Sequence, residues 1–154
     1  MAVFCLVVFV SSETLQAGFH WPASGRISDN FYSRRPYGYH GAIDIAGPNG
    51  QTILAAYGGS VRFAGWSGSY GNLVICAHRS SYTTYCAHNS RFARRSGAVS
   101  QGTVVAYEGS TGHSTGPHSH FEIRRYGSKL YIPGSIGSYV TKGRNVPKSY
   151  PGIA

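Results

Sequence analysis

The sequence predicts a mainly β protein in which antiparallel sheets form an open sandwich or half-barrel, with groove-lining loops and little helix. Glycine accounts for 21 of the 154 residues, and stretches that lack both Gly and Pro are short, so extended helices have little room. Short runs rich in β-branched and aromatic residues recur along the chain and are separated by turn signals. The length suits one domain with its own core.

The first predicted strand follows a lead-in and a polar loop. Residues 18–25 are an aromatic and proline-containing lead-in, and residues 26–36 are predicted to be a polar loop. The alternating apolar residues Ile43 and Ile45 indicate a strand, and the glycines that flank this segment argue against a helix. Further strands are predicted at Thr52–Tyr57, Ser60–Ala64, Asn72–His78, Tyr82–His88, Thr103–Glu108 and His118–Arg124. Residues 133–154 are predicted to be an extended tail, which leaves 18–132 as the folded domain.

Residues 1–17 resemble a signal peptide. Their first ten residues are a continuous apolar run, which is too short to span a bilayer but has the length of a signal-peptide core. No Lys or Arg precedes the run, and Leu15 is large for the position three before a cut after Ala17. A cut after Ser12 and a buried first strand are therefore alternatives. Export would make the protein secreted or place it in the cell envelope.

Two cysteines lie on neighbouring predicted strands that are joined by a short turn at Arg79–Ser81. If this hairpin is centred near Ser81, Cys76 lies opposite Cys86, at a separation that permits a cross-strand disulfide. Export would supply the oxidising compartment that such a bond needs. Two small buried thiols are an equally good interpretation.

The charge of the chain is strongly positive. The net charge is +9, and the only acids are Glu13, Asp29, Asp44, Glu108 and Glu122. This imbalance predicts attraction to polyanions. We favour anionic polymers of the cell envelope over nucleic acid, because no nucleic-acid-binding motif is recognisable, and we expect a monomer. Basic residues cluster at Arg34-Arg35, Arg91 with Arg94-Arg95, Arg124-Arg125 with Lys129, and Lys142, Arg144 and Lys148.

Two distant segments carry residues that suit a metal site. His118 and His120 share one face of an extended chain, and the even step from His40 to Asp44 places those two side chains together as well. Imidazole and carboxylate are normal zinc ligands, and a third imidazole from His118 or His120 would complete a hydrolytic site. An isolated pair of histidines two apart would more readily be two surface residues, but the second segment makes the pattern specific.

Further motifs follow one another in a fixed order. They are His40-Gly-Ala-Ile-Asp44, Tyr70-Gly-Asn72, Tyr85-Cys-Ala-His88, Gly109-Ser-Thr-Gly112 and Ser114-Thr-Gly-Pro-His118-Ser-His120. In this order the chain resembles the lysostaphin/LytM-type zinc endopeptidases, which cut peptidoglycan peptides. Ser119 departs from the family, which usually carries Leu between the two histidines. We expect Ser119 to point away from the metal and to affect packing rather than ligation.

The resemblance implies that His40, Asp44 and His120 bind one zinc ion and that His88 and His118 are the catalytic pair. Zinc lowers the pKa of its bound water to about 7, so a nearby imidazole can take the proton. The implied activity is hydrolysis of peptide bonds in peptidoglycan stem peptides or cross-bridges, for lysis or remodelling of the wall. The alternative is a catalytically silent wall-binding or activator module. Such members tend to have lost ligands, and none is missing here.

Three further residues are candidates for supporting roles. Glu122 shares a predicted strand face with His118 and His120 and is a candidate for orienting one of them, although an exposed carboxylate at a strand end is equally compatible. Tyr37 and Tyr39 precede the first ligand, and either phenol is a candidate for stabilising the tetrahedral intermediate.

The remaining histidines are expected to lie outside the chemistry. We expect His78 to be structural, His20 to pack in the lead-in and His113 to lie on a rim loop. Residues 112–116 also match the serine-hydrolase pattern G-x-S-x-G. Pro117 and a predicted strand follow it, however, where that motif requires a helix, so a serine nucleophile is disfavoured.

Overall fold

Strands dominate the structure, a computed structural model that describes residues 18–154. The only helical elements in that range are two short 3-10 turns, at Gly68–Tyr70 and Arg79–Ser81. The strands are β1 Gly25–Asp29, β2 Arg34–Arg35, β3 Gly38–Tyr39, β4 Ile43–Ala46, β5 Thr52–Leu54, β6 Gly59–Trp66, β7 Asn72–Ala77, β8 Tyr82–Asn89, β9 Arg91–Phe92, β10 Gly97–Val99, β11 Val104–Tyr107, β12 Ser119–Arg125, β13 Ser128–Lys129 and β14 Tyr139–Val140.

The main sheet has the order β10-β6-β7-β8-β12-β4-β1-β14, and β13 pairs with β12 beside this path. Strands β5, β11 and β9 form a second sheet, and β2 pairs with β3. Every pairing is antiparallel. The predicted fold class, open antiparallel sheets with little helix, is therefore confirmed.

The predicted strands correspond to β4, β5, β6, β7, β8, β11 and β12. The polar loop predicted for residues 26–36 was wrong in its first part, where β1 pairs with β4 and β14. Only one apolar side chain, Ile27, alternates with polar ones in β1, so the strand signal was weak. Residues 133–154 run along the domain, contribute β14 and bury Val146 and Tyr150 in the core.

The core lies on one face of the central strands. Ile43 and Ile45 of β4 and Phe121 and Ile123 of β12 are fully buried there. Trp21 from the lead-in covers this face, with its ring edge-on to Phe121 at a centroid distance of 6.2 Å. Because side chains alternate along a strand, the residues between these apolar ones project to the opposite face. That opposite face carries the polar residues of the candidate site.

The two cysteines of the β7–β8 hairpin are buried free thiols. Cys76 lies opposite Thr84, and Cys86 lies opposite Val74, so the expected Cys76–Cys86 register was wrong. The hairpin turn is centred on Ser80 rather than Ser81. Moving the centre by one residue changes the residue that lies opposite each cysteine by two positions. Burial raises the pKa of Cys76 to about 11, which keeps this thiol protonated at neutral pH.

The signal peptide predicted for residues 1–17, and the alternative of a buried first strand there, lie outside the described residues. Within residues 18–154, no helix is long and apolar enough to cross a membrane.

Candidate metal centre

Asp44 and His120 project from neighbouring strands into the same space. Asp44 of β4 is the direct cross-strand partner of His120 of β12. Opposite residues in an antiparallel pair point to the same face, and here the core residues on either side of each one take the other face. The alternation of apolar and polar residues therefore directs both potential ligands away from the core and into an open cleft.

His40 reaches the same space from the turn between β3 and β4. Its backbone N–H donates to the Ser33 carbonyl at 2.8 Å, and the Gly41 N–H donates to the Phe31 carbonyl at 2.8 Å. Gly41 has φ +71°, and a Cβ at this position would lie 2.6 Å from Cδ of Lys129. A residue with a side chain would be strained and crowded here, so Gly41 allows the chain to turn from the ligand into β4.

The three side chains meet the geometric requirement of a zinc site. Asp44 Oδ1 lies 3.2 Å from His40 Nε2 and 3.0 Å from His120 Nδ1, and the two imidazole nitrogens are 3.3 Å apart. Tetrahedral ligands held at the usual zinc distances lie roughly 3.3–3.5 Å from one another. Burial raises the pKa of Asp44, but the contacts with the His120 and His40 imidazoles outweigh it and hold this pKa well below its usual value. The residues fit one zinc ion.

The second nitrogen of each of the two histidines has a hydrogen-bond acceptor. His40 Nδ1 donates to the Asn30 carbonyl at 2.9 Å, and His120 Nε2 donates to Glu122 Oε1 at 2.9 Å. In the neutral tautomer that each bond selects, the nitrogen that faces Asp44 is unprotonated, which is the form that can bind a metal. Both imidazoles are therefore oriented through the nitrogen that points away from Asp44.

Glu122 is fully buried and is held by cations as well as by His120. It accepts hydrogen bonds from Arg124 Nε at 2.8 Å and Tyr70 Oη at 2.8 Å, and Lys129 Nζ lies 3.6 Å away. Burial raises its pKa, but the bond to His120 and these positive charges outweigh burial and bring the pKa to about 2. Glu122 is thus a buried carboxylate in contact with His120, and not an exposed one at a strand end.

His88 enters the cleft through an irregularity in β8. The β7–β8 register shifts between Asn72 and Val74, which places a bulge beside His88. His88 has φ +64°, a left-handed backbone conformation that is rare outside glycine. Bulges and left-handed residues redirect side chains and concentrate at functional sites. The backbone here departs from regular strand geometry at the residue that the family resemblance assigns to catalysis.

His88 and His118 face each other beside the three ligands. Their ring centroids are 4.6 Å apart, and His118 Nε2 lies 3.9 Å from Asp44 Oδ2. His88 Nδ1 donates to the Thr111 carbonyl at 2.7 Å, and His118 Nδ1 donates to the Gly116 carbonyl at 2.9 Å. In the neutral tautomers that these bonds select, each Nε2 is free to accept a proton. Burial, foremost, together with His118 and His120, lowers the pKa of His88 to about 4.

The five residues line a cleft of about 610 Å³. Tyr37 also lines it, whereas the ring of Tyr39 packs on Phe31 at a centroid distance of 5.4 Å and is not part of the lining. Ser114 Oγ lies 3.2 Å from His118 Nδ1 and 2.8 Å from the Gly116 carbonyl. Ser114 therefore contacts His118 through the nitrogen that does not point to the ligands, as a supporting group and not as a nucleophile.

The other histidines lie where the sequence predicts. His78 is buried away from the cleft, His20 is buried in the lead-in, and His113 is an exposed residue at the cleft margin. Ser119 is fully buried on the core side of β12, away from the ligands, and its hydroxyl has no hydrogen-bond partner. Nothing in the sequence indicated a role for Tyr70, although it occurs in one of the quoted motifs. No sequence pattern predicted that the Thr111 carbonyl would accept a hydrogen bond from the site.

Comparison with known proteins agrees with this geometry. Residues 38–132 match the model of peptidase family M23, a segment that contains all five residues of the site. The chain belongs to peptidase family M23. This M23 domain is 42% identical over 91 residues to the DD-carboxypeptidase/endopeptidase Mpg of Neisseria meningitidis, covering 59% of the chain and 21% of that protein. It is 37% identical over 121 residues to the murein hydrolase activator NlpD of Escherichia coli, covering 75% and 31%.

Solved structures of M23 proteins share the fold. A zinc-containing peptidase from Vibrio cholerae superposes with a TM-score of 0.67 at 25% identity, over 73% of this chain and 38% of that one. A mutant catalytic domain of the prophage-encoded M23 protein EnpA from Enterococcus faecalis gives 0.63 at 33% identity, over 76% and 95%. The chain thus spans nearly all of one solved catalytic domain but at most about a third of these two curated relatives.

Proposed function

We propose that this M23 domain is a zinc-dependent endopeptidase that hydrolyses a peptide bond in the stem peptides or cross-bridges of peptidoglycan. The observation that carries the proposal is the convergence of three ligand atoms with two further imidazoles in one cleft. A relative named as a DD-carboxypeptidase/endopeptidase supports the choice of substrate.

His40, Asp44 and His120 would hold the metal. A zinc ion at this position supplies a Lewis acid and a water of lowered pKa. Asp44 contributes the only negative charge among the three ligands, and the hydrogen bonds of the histidines to Asn30 and Glu122 keep their lone pairs directed at the ion.

His88 and His118 would carry the proton transfers. Water adds to the peptide carbonyl, the C–N bond breaks, and the proton lost by water must reach the departing amine. One imidazole accepts the proton and the other stabilises the oxyanion or donates to the amine. The free Nε2 atoms suit both tasks, and the tight bonds at Nδ1 hold the rings in place. Tyr37, which lines the cleft, would assist the oxyanion.

The domain would act in the cell envelope as a monomer with a cationic surface. The four carboxylates within residues 18–154 are all buried or half-buried, whereas most of the 14 Lys and Arg side chains lie at the surface. A surface of this kind attracts anionic envelope polymers. We expect retention on purified walls to fall as salt rises, because salt screens exposed charges. Residues 18–132 would form the catalytic domain, and residues 133–154 a tail that completes it.

A second candidate function is a silent activator of other wall hydrolases. The similarity to a protein named murein hydrolase activator favours it. The full set of five site residues favours the enzyme instead, because an activator does not need a preserved zinc site.

The deciding experiment is digestion of purified peptidoglycan of two cross-link chemistries, followed by mass spectrometry of the soluble fragments. We expect new amine and carboxyl ends at one type of peptide bond, formed with zinc and absent with a chelator. The matched control is Asp44→Asn, which keeps the size of the side chain. If the protein binds walls and holds zinc but releases no fragments, the enzyme proposal is wrong and the activator stands.

A further inference from the structure

A cluster of aromatic side chains lies on the protein surface beside the turn that carries His40. Its exposed members are Tyr32, Tyr39 and Tyr131, with exposed fractions of 64%, 50% and 41%. They surround the buried ring of Phe31, with centroid distances to it of 5.0, 5.4 and 5.5 Å. We call these three residues the tyrosine platform. Tyrosines from three places in the sequence thus pack around the ring of Phe31.

Two rings of the tyrosine platform are nearly parallel. Tyr32 and Tyr131 stack at a centroid distance of 5.4 Å with an interplanar angle of 21°. Tyr39 adjoins Tyr32 at 5.6 Å. A contiguous group of exposed aromatic rings is costly in water and marks a contact surface when it is not covered. The exposed members carry phenol groups and none is aliphatic, so the surface combines apolar faces with hydrogen-bonding edges.

The tyrosine platform is built on the hairpin that also carries His40. Tyr39 immediately precedes the ligand His40, and the Phe31 carbonyl accepts the hydrogen bond from Gly41 N–H that helps fix the ligand turn. The same short hairpin therefore forms part of the aromatic surface and positions one metal ligand. A substrate bound across both would be fixed relative to the reacting atoms.

We propose that the tyrosine platform binds the glycan strand of peptidoglycan, with pyranose rings stacked on Tyr32 and Tyr131. This inference rests on the proposed function. A pyranose ring presents C–H groups on its faces, which the electron-rich face of an aromatic ring attracts, and hydroxyl groups at its edge, which phenols can bond. The sugar must also lie near the cleft, because an extended stem of three to five residues spans at most about 10–18 Å.

The test is binding of peptide-free glycan strands, prepared by removing every stem peptide with an amidase, to the full chain by calorimetry. Such strands contain no scissile bond, so binding is measured separately from hydrolysis. We expect Tyr32→Ala and Tyr131→Ala each to weaken glycan binding on the order of tenfold, as for other ring-stacking contacts. Tyr131→Phe should retain wild-type binding to within a few-fold, because it keeps the ring.

The matched control is Tyr139→Ala, because Tyr139 is 70% exposed but lies on β14, outside the cluster. We expect it to bind glycan as the wild type does. Thermal unfolding of each variant verifies that the loss of binding is not a loss of folding.

Three outcomes would overturn the inference. If the wild type cleaves cross-linked peptides but does not bind glycan, the tyrosine platform has another role and the proposed function survives. If the alanine variants lose binding of free peptide dimers instead of glycan, the occupant is peptide. If they only convert a dimer into a monomer in sedimentation, the occupant is a second copy of the chain. Glycan binding by the platform without any peptide hydrolysis would instead contradict the proposed function alone.

Discussion

The β7–β8 hairpin carries one buried histidine near each end, and the two differ in what their nitrogens contact. His78, beside the turn, bonds the Gly58 carbonyl through Nδ1 at 2.9 Å and Thr84 Oγ1 through Nε2 at 2.9 Å. His88, at the open end, bonds only the Thr111 carbonyl through Nδ1. Burial is the largest cause of a lowered pKa at both residues.

Burial and a lowered pKa, which the two residues share, do not by themselves separate His88, the proposed catalytic residue, from His78. Hydrogen bonding and backbone geometry do. His78 has both nitrogens satisfied in regular extended backbone, with Phe19 packed edge-on against its ring. His88 has a free nitrogen, a left-handed backbone and a second imidazole beside it. The left-handed backbone at His88 is consistent with the strain that functional sites often retain, and it supports the proposed role of this residue.

The largest effect is expected from Asp44→Ala, a substitution in the cleft that leaves the surroundings of His78 unchanged. The substitution removes the carboxylate that both ligating histidines contact, so we expect no stoichiometric zinc and hydrolysis at background level. Elemental analysis after dialysis and fragment release from walls check it, with circular dichroism as the control for folding. Retained hydrolysis would show that Asp44 is not a ligand of the metal.

The next effect is expected from His88→Ala. Loss of a positioned acid or base lowers kcat by about 10²–10⁴-fold, while the three metal ligands remain. Zinc content should therefore stay at one per chain, and single-turnover rates on a cross-linked peptide measure the loss. A wild-type rate in this variant would mean that His88, like His78, has only a structural role.

Glu122→Gln should weaken zinc binding without abolishing it. The amide keeps the size of the side chain but loses the negative charge that contacts His120, and changes of this kind cost about 10–100-fold in metal affinity or activity. Competition with a chelating dye measures the affinity. Restored hydrolysis at high zinc is expected, and failure to restore it would show that Glu122 acts directly in the chemistry.

His78→Ala is the counterpart of His88→Ala at the structural end. It leaves Thr84 Oγ1 buried without its partner, so we expect the free energy of unfolding to fall by about 1–3 kcal/mol. The rate per zinc-loaded folded molecule should change by less than about twofold, since His78 has no contact with the cleft. Denaturant unfolding and kinetics on the same sample test both parts; a large loss of rate would contradict the division of roles.

The smallest effect is expected from Ser119→Ala. The Ser119 hydroxyl is buried without a partner, so its removal should be neutral or stabilising by up to about 1 kcal/mol. Thermal unfolding measures the change, and Thr84→Ala, which removes a bonded buried hydroxyl, is the control. A clear destabilisation by Ser119→Ala would mean that this hydroxyl has a bound partner.

Much of the site followed from local patterns, whereas its irregular features did not. Even spacing places His118 with His120, and the alternation around Ile43 and Ile45 turns Asp44 away from the core. The bulge and left-handed backbone at His88 depend on pairing between β7 and β8, which no local pattern encodes. The two-residue error in the cysteine register arose in the same way, since it depends on where the hairpin turns.

Strand β1 and the aromatic cluster show a related limit. Ile27 alone gave too weak an apolar signal to predict β1, which forms only because β4 and β14 supply partners. Tyr32 and Tyr131 are about a hundred residues apart in sequence, and their rings stack only in the folded chain. Composition predicted the cationic surface, but not the convergence of these rings.

The most direct test of the central claim is a zinc titration of the chelated wild-type protein, with release of soluble fragments from purified peptidoglycan as the readout. We predict that the rate of release rises linearly with added zinc and reaches its plateau at one zinc per chain, where the site formed by His40, Asp44 and His120 is fully occupied. A rate that is unchanged by chelation, or no release at one bound zinc per chain, would contradict the assignment of this cleft as a zinc peptidase site.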